Sequence, residues 1–514
     1  MDTPSRFSDP HFPIAGWSTR LLILALMGIL FLTLYPFRLT FHADLPANSS
    51  PFLLGGWDKG AGGFDNFLNV LLFVPFGFAI AEKLRERGKS WTVTLIWALT
   101  SGALLSYGIE FLQLYIPTRS SGWEDVVTNT AGSIMGFVLF DACGETILQM
   151  LSAGERALEK LLQWPRANVA IPVYFALWLA VSVPLQMQTR LSNWNPDSLL
   201  VVGNDIPTEP STAWSGQLFR LQIWDRALPA DLPPKLATGE PPGDTPGLLA
   251  DYDFSGHAQL ADRRKFLPDL SWKSAMPSHG DPPYLTLDGK SWLLSKEPVA
   301  NLVASLQRTN QFTVRVVCKP AVIEGSDGHI VGVWERSGPL ELSIRQEDTN
   351  LIFFFRNPLS APGSDLELNV QGIFEPDQIR DILFSYDGSS ATLYLDGKRV
   401  NRAYHLGPGT ALRRPFRDVS SDELDAYNDT YYFLAFFTGG ILIGVCVRGM
   451  IRQRNLATLS FAGLGLSILP ALLLELVLVS VSGRAFSFAY PILSVLLAMG
   501  GSLWINAEGL FDRL

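Results

Sequence analysis

The 514-residue sequence has few cysteines and a low share of charge. Only Cys143, Cys318 and Cys446 occur, two of them inside apolar runs, which predicts neither a disulfide framework nor a cysteine-based metal site. Charged residues make up 17% of the chain, and its net charge of −9 lacks the basic surplus that broad nucleic-acid binding needs. We therefore expect neither a disulfide-stapled secreted module nor a nucleic-acid partner.

Apolar residues are plentiful and unevenly distributed. They make up 47% of the chain, and the long apolar runs are confined to residues 1–187 and 430–507. Residues 188–429 are polar and interrupted by glycine and proline. A chain of this length is expected to form two or three units. The sequence thus predicts a membrane domain over 1–187, a polar domain over 188–429 and a second membrane region over 430–514.

Eight segments have the length and apolarity of a membrane span, which needs about 20 mostly apolar residues. The first ends in Leu34-Tyr35-Pro36-Phe37 and has no small-residue cleavage site, so an uncleaved anchor is favoured over a signal peptide. The expected fold of the two ends is an α-helical multi-pass membrane bundle. Its predicted spans are residues 19–37, 64–82, 91–113, 123–143, 168–187, 430–448, 456–480 and 486–506.

Lysine and arginine cluster in three short loops between these spans, and basic loops face the cytoplasm. If the eight spans alternate, all three loops lie on one side, with both termini cytoplasmic and residues 188–429 outside. The opposite short loops hold scattered cations, among them Arg38, Lys59, Arg119 and Arg484. The basic residues are Lys83, Arg85, Arg87 and Lys89 in the first loop, Arg156, Lys160 and Arg166 in the second, and Arg448, Arg452 and Arg454 in the third.

Polar residues inside the second, third and fourth spans are expected to converge near the outer membrane surface. Ser106, Glu110 and Gln113 are spaced i, i+4 and i+7, so they share one helix face. Ionisable groups in a span are costly and face the bundle interior or a wet cavity. The other members of this set are Asp65, Asn69, Asp125 and Asn129, and Pro117 and Arg119 lie in the loop between.

Two interpretations of these residues stay open. In the structural one, Arg119 bridges the carboxylates of Glu110 and Asp125, and the amide side chains join the helices. In the functional one, the residues form a pocket that binds a headgroup or a sugar or performs acid–base chemistry. The acid–base candidates are then Asp65, Glu110 and Asp125, and the binding candidates are Asn69, Gln113, Arg119 and Asn129. Gly132 and Gly136 are expected to allow close helix packing.

These residues resemble the VanZ-like family over positions 20–145, under a third of the chain. The resemblance implies a role in the cell envelope and supplies no established reaction. Its founding member is associated with resistance to the glycopeptide antibiotic teicoplanin. The pattern that carries it is Asp65-x3-Asn69-x3-Phe73-x-Pro75-x-Gly77, followed by Glu110-x2-Gln113-x5-Arg119-x5-Asp125-x3-Asn129-x2-Gly132-x3-Gly136.

A shift of 365 residues indicates a degenerate second copy over positions 430–506. Glu110 falls on Glu475 and Arg119 on Arg484, and the first and third basic loops coincide. The alternative is chance similarity between two apolar three-helix segments. If duplication is right, the Glu–Arg pair is architectural, and residues kept only in the first copy are the better functional candidates. Replaced residues include Gln113 by Leu478, Asp125 by Tyr490 and Asn129 by Ser494.

Residues 195–405 contain short β-type stretches separated by turn signals, which predicts an all-β sandwich outside the cytoplasm. Asp387-Gly388 and Asp396-Gly397 are typical of tight hairpins. The clearest strands are Gln311–Cys318, Leu340–Arg345, Leu351–Phe355, Ile382–Tyr386 and Thr392–Leu395.

The sandwich resembles the laminin-G or concanavalin A-like lectin family through Tyr394-Leu395-Asp396-Gly397. The family's usual last strand resembles Trp214–Leu228, which comes first here, so we expect a circularly permuted jelly roll. The resemblance implies glycan binding, protein binding or, in related folds, glycosidase activity, although no local motif singles out a pair of acids. Ca²⁺ binding is possible in this family, and no residue is assigned to it. Trp214, Trp224 and Trp334 are expected to be core residues, and the alternative is that exposed aromatic side chains stack on a sugar.

Three functions remain open for the whole chain. The first is a binding protein that recognises an envelope glycan or polymer through the sandwich and a lipid headgroup through the helices. The second is a membrane enzyme that acts on a lipid-linked envelope precursor, with Arg119 holding an anion such as phosphate. The third is a transporter or flippase, for which an internal repeat is suggestive.

Overall fold

The structure is a computed structural model that divides the chain into two compact units. The first unit comprises Met1–Phe175, Phe433–Leu469 and Leu493–Leu514, and the second comprises Ala176–Tyr432 and Pro470–Ile492. The residues that it describes are 17–35, 37, 63–116, 119, 121–163, 166–204, 213–239, 245–254, 260–273, 284–335, 339–360, 367–413, 424–452 and 456–507. Arg38, Lys59, Pro117 and Arg454, named above, lie outside these ranges.

The apolar segments form helices where the sequence predicts spans. Among the described residues, seven helices are long and apolar enough to cross a membrane, and the last apolar helix, Ala489–Ile505, is shorter. The fourth helix continues to Leu161, past the predicted end of the span at residue 143. The prediction followed the apolar run, and the more polar residues after it extend the same helix. The helices are α1 Trp17–Leu34, α2 Gly63–Glu86, α3 Trp91–Gln113, α4 Trp123–Leu161, α5 Ala167–Met187, α6 Leu232–Ala237, α7 Ala300–Thr309, α8 Leu424–Tyr432, α9 Thr438–Arg452, α10 Leu456–Ser482 and α11 Ala489–Ile505.

Glycines set the closest helix contact in the first unit, between α2 and α4. A Cβ atom on Gly132 would overlap the carbonyl oxygen of Val70, and one on Gly136 would overlap that of Val74. Gly77 on α2 lies equally close to the backbone of Ser133. Small residues allow such backbone approach between membrane helices, so the predicted role of these glycines in close packing is confirmed.

The same kind of contact joins α11 to the helix that contains α9. Gly440 lies against the backbone of Ala498, and Gly501 lies against the carbonyl oxygen of Phe437 and the amide nitrogen of Ile441. A π-helical segment, Phe433–Phe437, connects α8 to α9.

Ion pairs join helix ends at one end of the first unit. Glu155 of α4 pairs with Arg20 of α1 at 2.9 Å and with Arg448 of α9 at 2.7 Å. At the end of α2, Glu86 accepts a hydrogen bond from Ser18 at the start of α1. The ends of α2, α4 and α9, which carry the predicted basic loops, therefore lie together.

Two antiparallel sheets of seven strands form the β-sandwich of the second unit. One has the order β11-β10-β9-β8-β1-β6-β4, and the other has β14-β13-β12-β7-β2-β3, with β5 paired to β2. The strands are β1 Leu199–Val202, β2 Ser215–Trp224, β3 Leu248–Asp253, β4 Leu270–Trp272, β5 Leu285–Asp288, β6 Leu293–Ser295, β7 Phe312–Pro320, β8 Asp327–Trp334, β9 Leu340–Glu347, β10 Asn350–Phe355, β11 Glu367–Val370, β12 Arg380–Tyr386, β13 Ser390–Leu395 and β14 Lys398–His405.

The two sheets share one apolar core, in which Phe353 of β10 stacks on Phe384 of β12. Trp214 and Trp224 are fully buried, whereas Trp334 is half-buried. The predicted hairpin between β13 and β14 is confirmed, because Asp396 and Gly397 both have positive φ angles, 50° and 76°. This is the backbone that a tight two-residue turn requires.

The sandwich is fixed to the loop that follows α10. Asn310 donates from Nδ2 to the carbonyl oxygen of Ser482 at 2.6 Å, and Gln311 donates from Nε2 to that of Gly483 at 2.5 Å. Arg190 donates to the carbonyl oxygen of Val481. Three side chains thus cap neighbouring carbonyls at the end of one helix.

Replacing Gly136 by alanine is expected to destabilise the protein by about 1–3 kcal/mol, because the added methyl group overlaps the α2 backbone. The matched control is Gly154→Ala on the same helix, where a Cβ atom meets nothing within 4 Å. That control is expected to be neutral or to stabilise the helix by about 0.5–1 kcal/mol. Thermal unfolding in detergent measures both, and equal melting temperatures would contradict the packing argument.

Candidate functional site

Polar side chains of α2, α3 and α4 meet where α3 ends and α4 begins. We call this set the α3–α4 cluster. Its three elements are held together by the glycine contact between α2 and α4 and by hydrogen bonds between side chains. Its members are Asn66, Asn69, Ser106, Glu110, Gln113, Ser121, Glu124, Asp125 and Asn129.

Two parallel amide–carboxylate contacts connect α2 to α4. Asn69 donates from Nδ2 to Oδ1 of Asp125 at 2.7 Å, and Asn66 donates from Nδ2 to Oε1 of Glu124 at 2.7 Å. The predicted proximity of Asn69 and Asp125 is therefore observed. The sequence pattern does not point to Asn66 or Glu124. Asn66 lies three positions before Asn69, and Glu124 lies one position before Asp125.

Glu110 is the most deeply enclosed carboxylate of the cluster, with 2% of its surface exposed. Its Oε2 accepts a hydrogen bond from the backbone amide of Gly122 at 2.9 Å, immediately before α4 begins. Within the described part of the chain it forms no ion pair. Asp125 adds a second negative charge nearby.

Ser106 and Gln113 extend the cluster along the same face of α3. Asn129 donates from Nδ2 to Oγ of Ser106 at 2.9 Å, one turn before Glu110. Gln113 donates from Nε2 to the carbonyl oxygen of Thr33 at 2.9 Å, which connects α3 to the end of α1. The predicted shared face of α3 thus contacts both α4 and α1.

Arg119 does not bridge the carboxylates, and that expectation was wrong. Its exposed side chain donates from Nε to the carbonyl oxygen of Tyr35 and from Nη2 to that of Leu32, both at 3.1 Å. These carbonyls at the end of α1 lack partners within their own helix, so the guanidinium serves as a C-terminal cap.

Asp65 lies on the first turn of α2 with an exposed side chain. No hydrogen bond or ion pair to another described residue connects it to the cluster. Its place suits a carboxylate at a helix N-terminus, where negative charge is favourable.

Five buried oxygen atoms of the cluster have no hydrogen-bond partner among the described residues. They are Asn66 Oδ1, Gln113 Oε1, Ser121 Oγ, Glu124 Oε2 and Asn129 Oδ1. A buried polar atom without a partner costs roughly 1–3 kcal/mol. These five oxygens are therefore the atoms of the cluster that the described residues leave unsatisfied.

A different arrangement surrounds Glu475, the predicted counterpart of Glu110. Arg484 donates to both of its carboxylate oxygens at 2.6 Å, and Ser487 donates its backbone amide at 3.0 Å. Burial lowers the pKa of Arg484, but its contacts with Glu475 outweigh that effect and raise the pKa above its ordinary value. This carboxylate is fully satisfied within the protein.

Glu335 and Glu341 of the sandwich are neighbouring acids held by one residue. Asn195 contacts both, donating its backbone amide to Glu341 at 2.9 Å and Nδ2 to Glu335 at 2.5 Å. Burial raises the pKa of Glu341, which is 0% exposed and also receives Arg356 at 3.4 Å. A fully covered carboxylate cannot reach a glycosidic bond, so this pair is structural.

Metal-binding side chains do not assemble in the described ranges. No group of three or more His, Cys, Asp or Glu side chains there is arranged to hold a metal ion.

Comparison with known proteins supports the sequence resemblance at the N-terminal end. Residues 20–144 match the family model described as VanZ/LLP1. No curated protein and no solved structure matches the chain. The α3–α4 cluster lies inside the matched segment, and the lectin resemblance of the sandwich stays a prediction.

Glu475→Gln is expected to destabilise the protein by about 3–5 kcal/mol, because it leaves the buried guanidinium of Arg484 without its counter-charge. Glu110→Gln is expected to cost far less, since it breaks no ion pair and keeps an acceptor for Gly122. Thermal unfolding of the two matched variants measures the difference. Equal losses of stability would show that Glu110 is also internally paired.

Proposed function

We propose that this chain is a cell-envelope membrane protein that binds a polar headgroup in its VanZ-like block. Its sandwich lies outside the cytoplasm and binds a glycan or envelope polymer. The observation that carries the proposal is the set of buried, unpartnered oxygens around Glu110 in the α3–α4 cluster.

The membrane setting makes those oxygens informative. A buried polar atom without a partner costs roughly 1–3 kcal/mol, and the apolar surroundings of a span offer few alternative partners. Polar side chains that persist in such spans mark binding or transport sites or pair with one another. Here the pairing is incomplete, which favours a ligand that supplies the missing hydrogen bonds.

The positive charges support the proposed orientation. The ends of α2, α4 and α9 lie together, and basic residues cluster there. Basic loops remain in the cytoplasm. The beginning of α4, where the cluster lies, is then on the outer side.

The sandwich supports glycan contact through its architecture and through partly exposed aromatic rings. Trp272 and Trp334 are half-buried, so their indoles retain accessible surface. Trp214 and Trp224 are core residues and cannot stack on a sugar. The tight hairpin at Asp396-Gly397 is the feature shared with the lectin-like families.

We also infer that residues 430–506 are an eroded second copy of α2–α4. Glu110 accepts the amide twelve residues later, and so does Glu475. The glycine contacts of Gly77 and Gly136 with the partner helix have counterparts in Gly440 and Gly501. Two unrelated three-helix segments would not be expected to share both features.

Acid–base catalysis on a lipid-linked precursor is the second candidate. The observation that favours it is an enclosed, unpaired Glu110 with Asp125 nearby, because general acids and bases are often carboxylates in such surroundings. Catalysis predicts that the wild-type protein converts a bound precursor to product and that Glu110→Gln binds the precursor without converting it.

A screen of envelope lipids and glycans against the intact protein tests the proposal. Asp125→Asn removes a charged acceptor of the cluster, and hydrogen bonds to charged groups contribute about 1.5–3 kcal/mol. We therefore expect at least about a tenfold weaker retention of the headgroup lipid, since 1.4 kcal/mol corresponds to tenfold.

The matched control is Asp141→Asn, an exposed carboxylate on the same helix. It is expected to leave retention unchanged. Unchanged retention in Asp125→Asn, or an equal loss in Asp141→Asn, would refute headgroup binding at the cluster.

A further inference from the structure

We infer that the group bound at the α3–α4 cluster is a protonated primary amine. This inference rests on the proposed headgroup binding and names its chemistry. It follows from the kind of atoms left without partners, from the net charge of the cluster and from the contrast between Glu110 and Glu475.

Four of the five unpartnered atoms are amide or carboxylate oxygens, which only accept hydrogen bonds, and the fifth is the hydroxyl of Ser121. The amide nitrogen of Gln113 is committed to a backbone carbonyl, and that of Asn66 to a carboxylate, neither of which can donate. The oxygens of these side chains are therefore what remains. Asn129 keeps Oδ1 because its Nδ2 donates to Ser106, whose own hydroxyl donates to the carbonyl oxygen of Asp125. A ligand that satisfies the cluster must bring several donors.

The cluster is also negatively charged. Glu110, Glu124 and Asp125 contribute three carboxylates, and no ion pair with a described residue neutralises Glu110 or Glu124. Arg119, the nearest cation in sequence, is held by carbonyls at the end of α1. A phosphate or other anion would be repelled here, whereas a cation would be attracted.

The proposed second copy shows what satisfies the equivalent carboxylate. Glu475 receives a backbone amide from Ser487 and two N–H donors from the cationic Arg484. Glu110 receives the equivalent amide from Gly122 and no cationic donor from the described residues. The first copy thus lacks the cationic donor that the second supplies internally, and a ligand amine provides both the charge and the N–H groups.

A primary ammonium fits better than other cations. It carries three N–H donors, which matches the several oxygens of the cluster that lack a hydrogen-bond partner. A quaternary ammonium has the charge but no donor.

The test compares headgroups that differ only in their N–H donors. The purified full-length protein is presented with equal amounts of phosphatidylethanolamine and phosphatidylcholine of matched acyl chains, and retained lipid is measured by native mass spectrometry. We expect at least about a tenfold preference for phosphatidylethanolamine, equivalent to 1.4 kcal/mol. Glu110→Gln is expected to abolish the preference, Glu110→Asp to keep part of it, and Asp141→Asn to leave it intact.

Free ethanolamine identifies the source of the amine. Displacement of the retained lipid by free ethanolamine indicates that the amine alone is recognised, and resistance to displacement indicates a lipid-borne amine. Either result supports the inference when the preference depends on Glu110.

Equal retention of both lipids by the wild type, or a preference that survives Glu110→Gln in folded protein, overturns the inference. Retention of an anionic lipid such as phosphatidylglycerol that depends on Asp125 would overturn the amine chemistry and leave headgroup binding standing. Lipid retention that is independent of Asp125 would overturn both.

Discussion

The backbone contact between α2 and α4 is the constraint on which the polar cluster depends. Gly132 and Gly136 bring α4 within touching distance of Val70 and Val74. At that separation the short side chain of Asn69 reaches Asp125 directly. Larger residues at the glycine positions would separate the helices and leave both partners unsatisfied in apolar surroundings, at a cost far above that of one lost contact.

Glu110 and Glu475 are each followed by an arginine nine residues later, and the two carboxylates are satisfied in different ways. Glu475 is closed by Arg484 with bidentate geometry, the strongest form of charge-assisted hydrogen bonding. Among the described residues Glu110 has a single donor, the backbone amide of Gly122, while Arg119 caps a neighbouring helix. The arginine nine residues after each glutamate is thus used for internal closure in one place and for helix capping in the other.

Much of this architecture could be predicted from the sequence, because span length and turn chemistry are local properties. The helices follow from apolar runs, and the hairpin at Asp396-Gly397 follows from the positive φ angles that this pair tolerates. The partner of Arg119 could not be predicted, since the direction of a side chain in a short loop depends on tertiary contacts. The contact of Glu124 with Asn66 could not be predicted either, because an acidic residue is common in the first turn of a helix.

The attachment of the sandwich gives the proposed second copy a reason to have lost its polar residues. Asn310 and Gln311 cap the carbonyls of Ser482 and Gly483. In the proposed duplication, the loop that contains these carbonyls corresponds to the loop between α3 and α4. A loop held by a folded domain and closed internally by Arg484 needs no further hydrogen-bond acceptors. Substitutions that removed those acceptors would lower the cost of burying polar groups in the second copy without loss of binding. In this proposal the second copy anchors the sandwich and the first copy recognises the ligand.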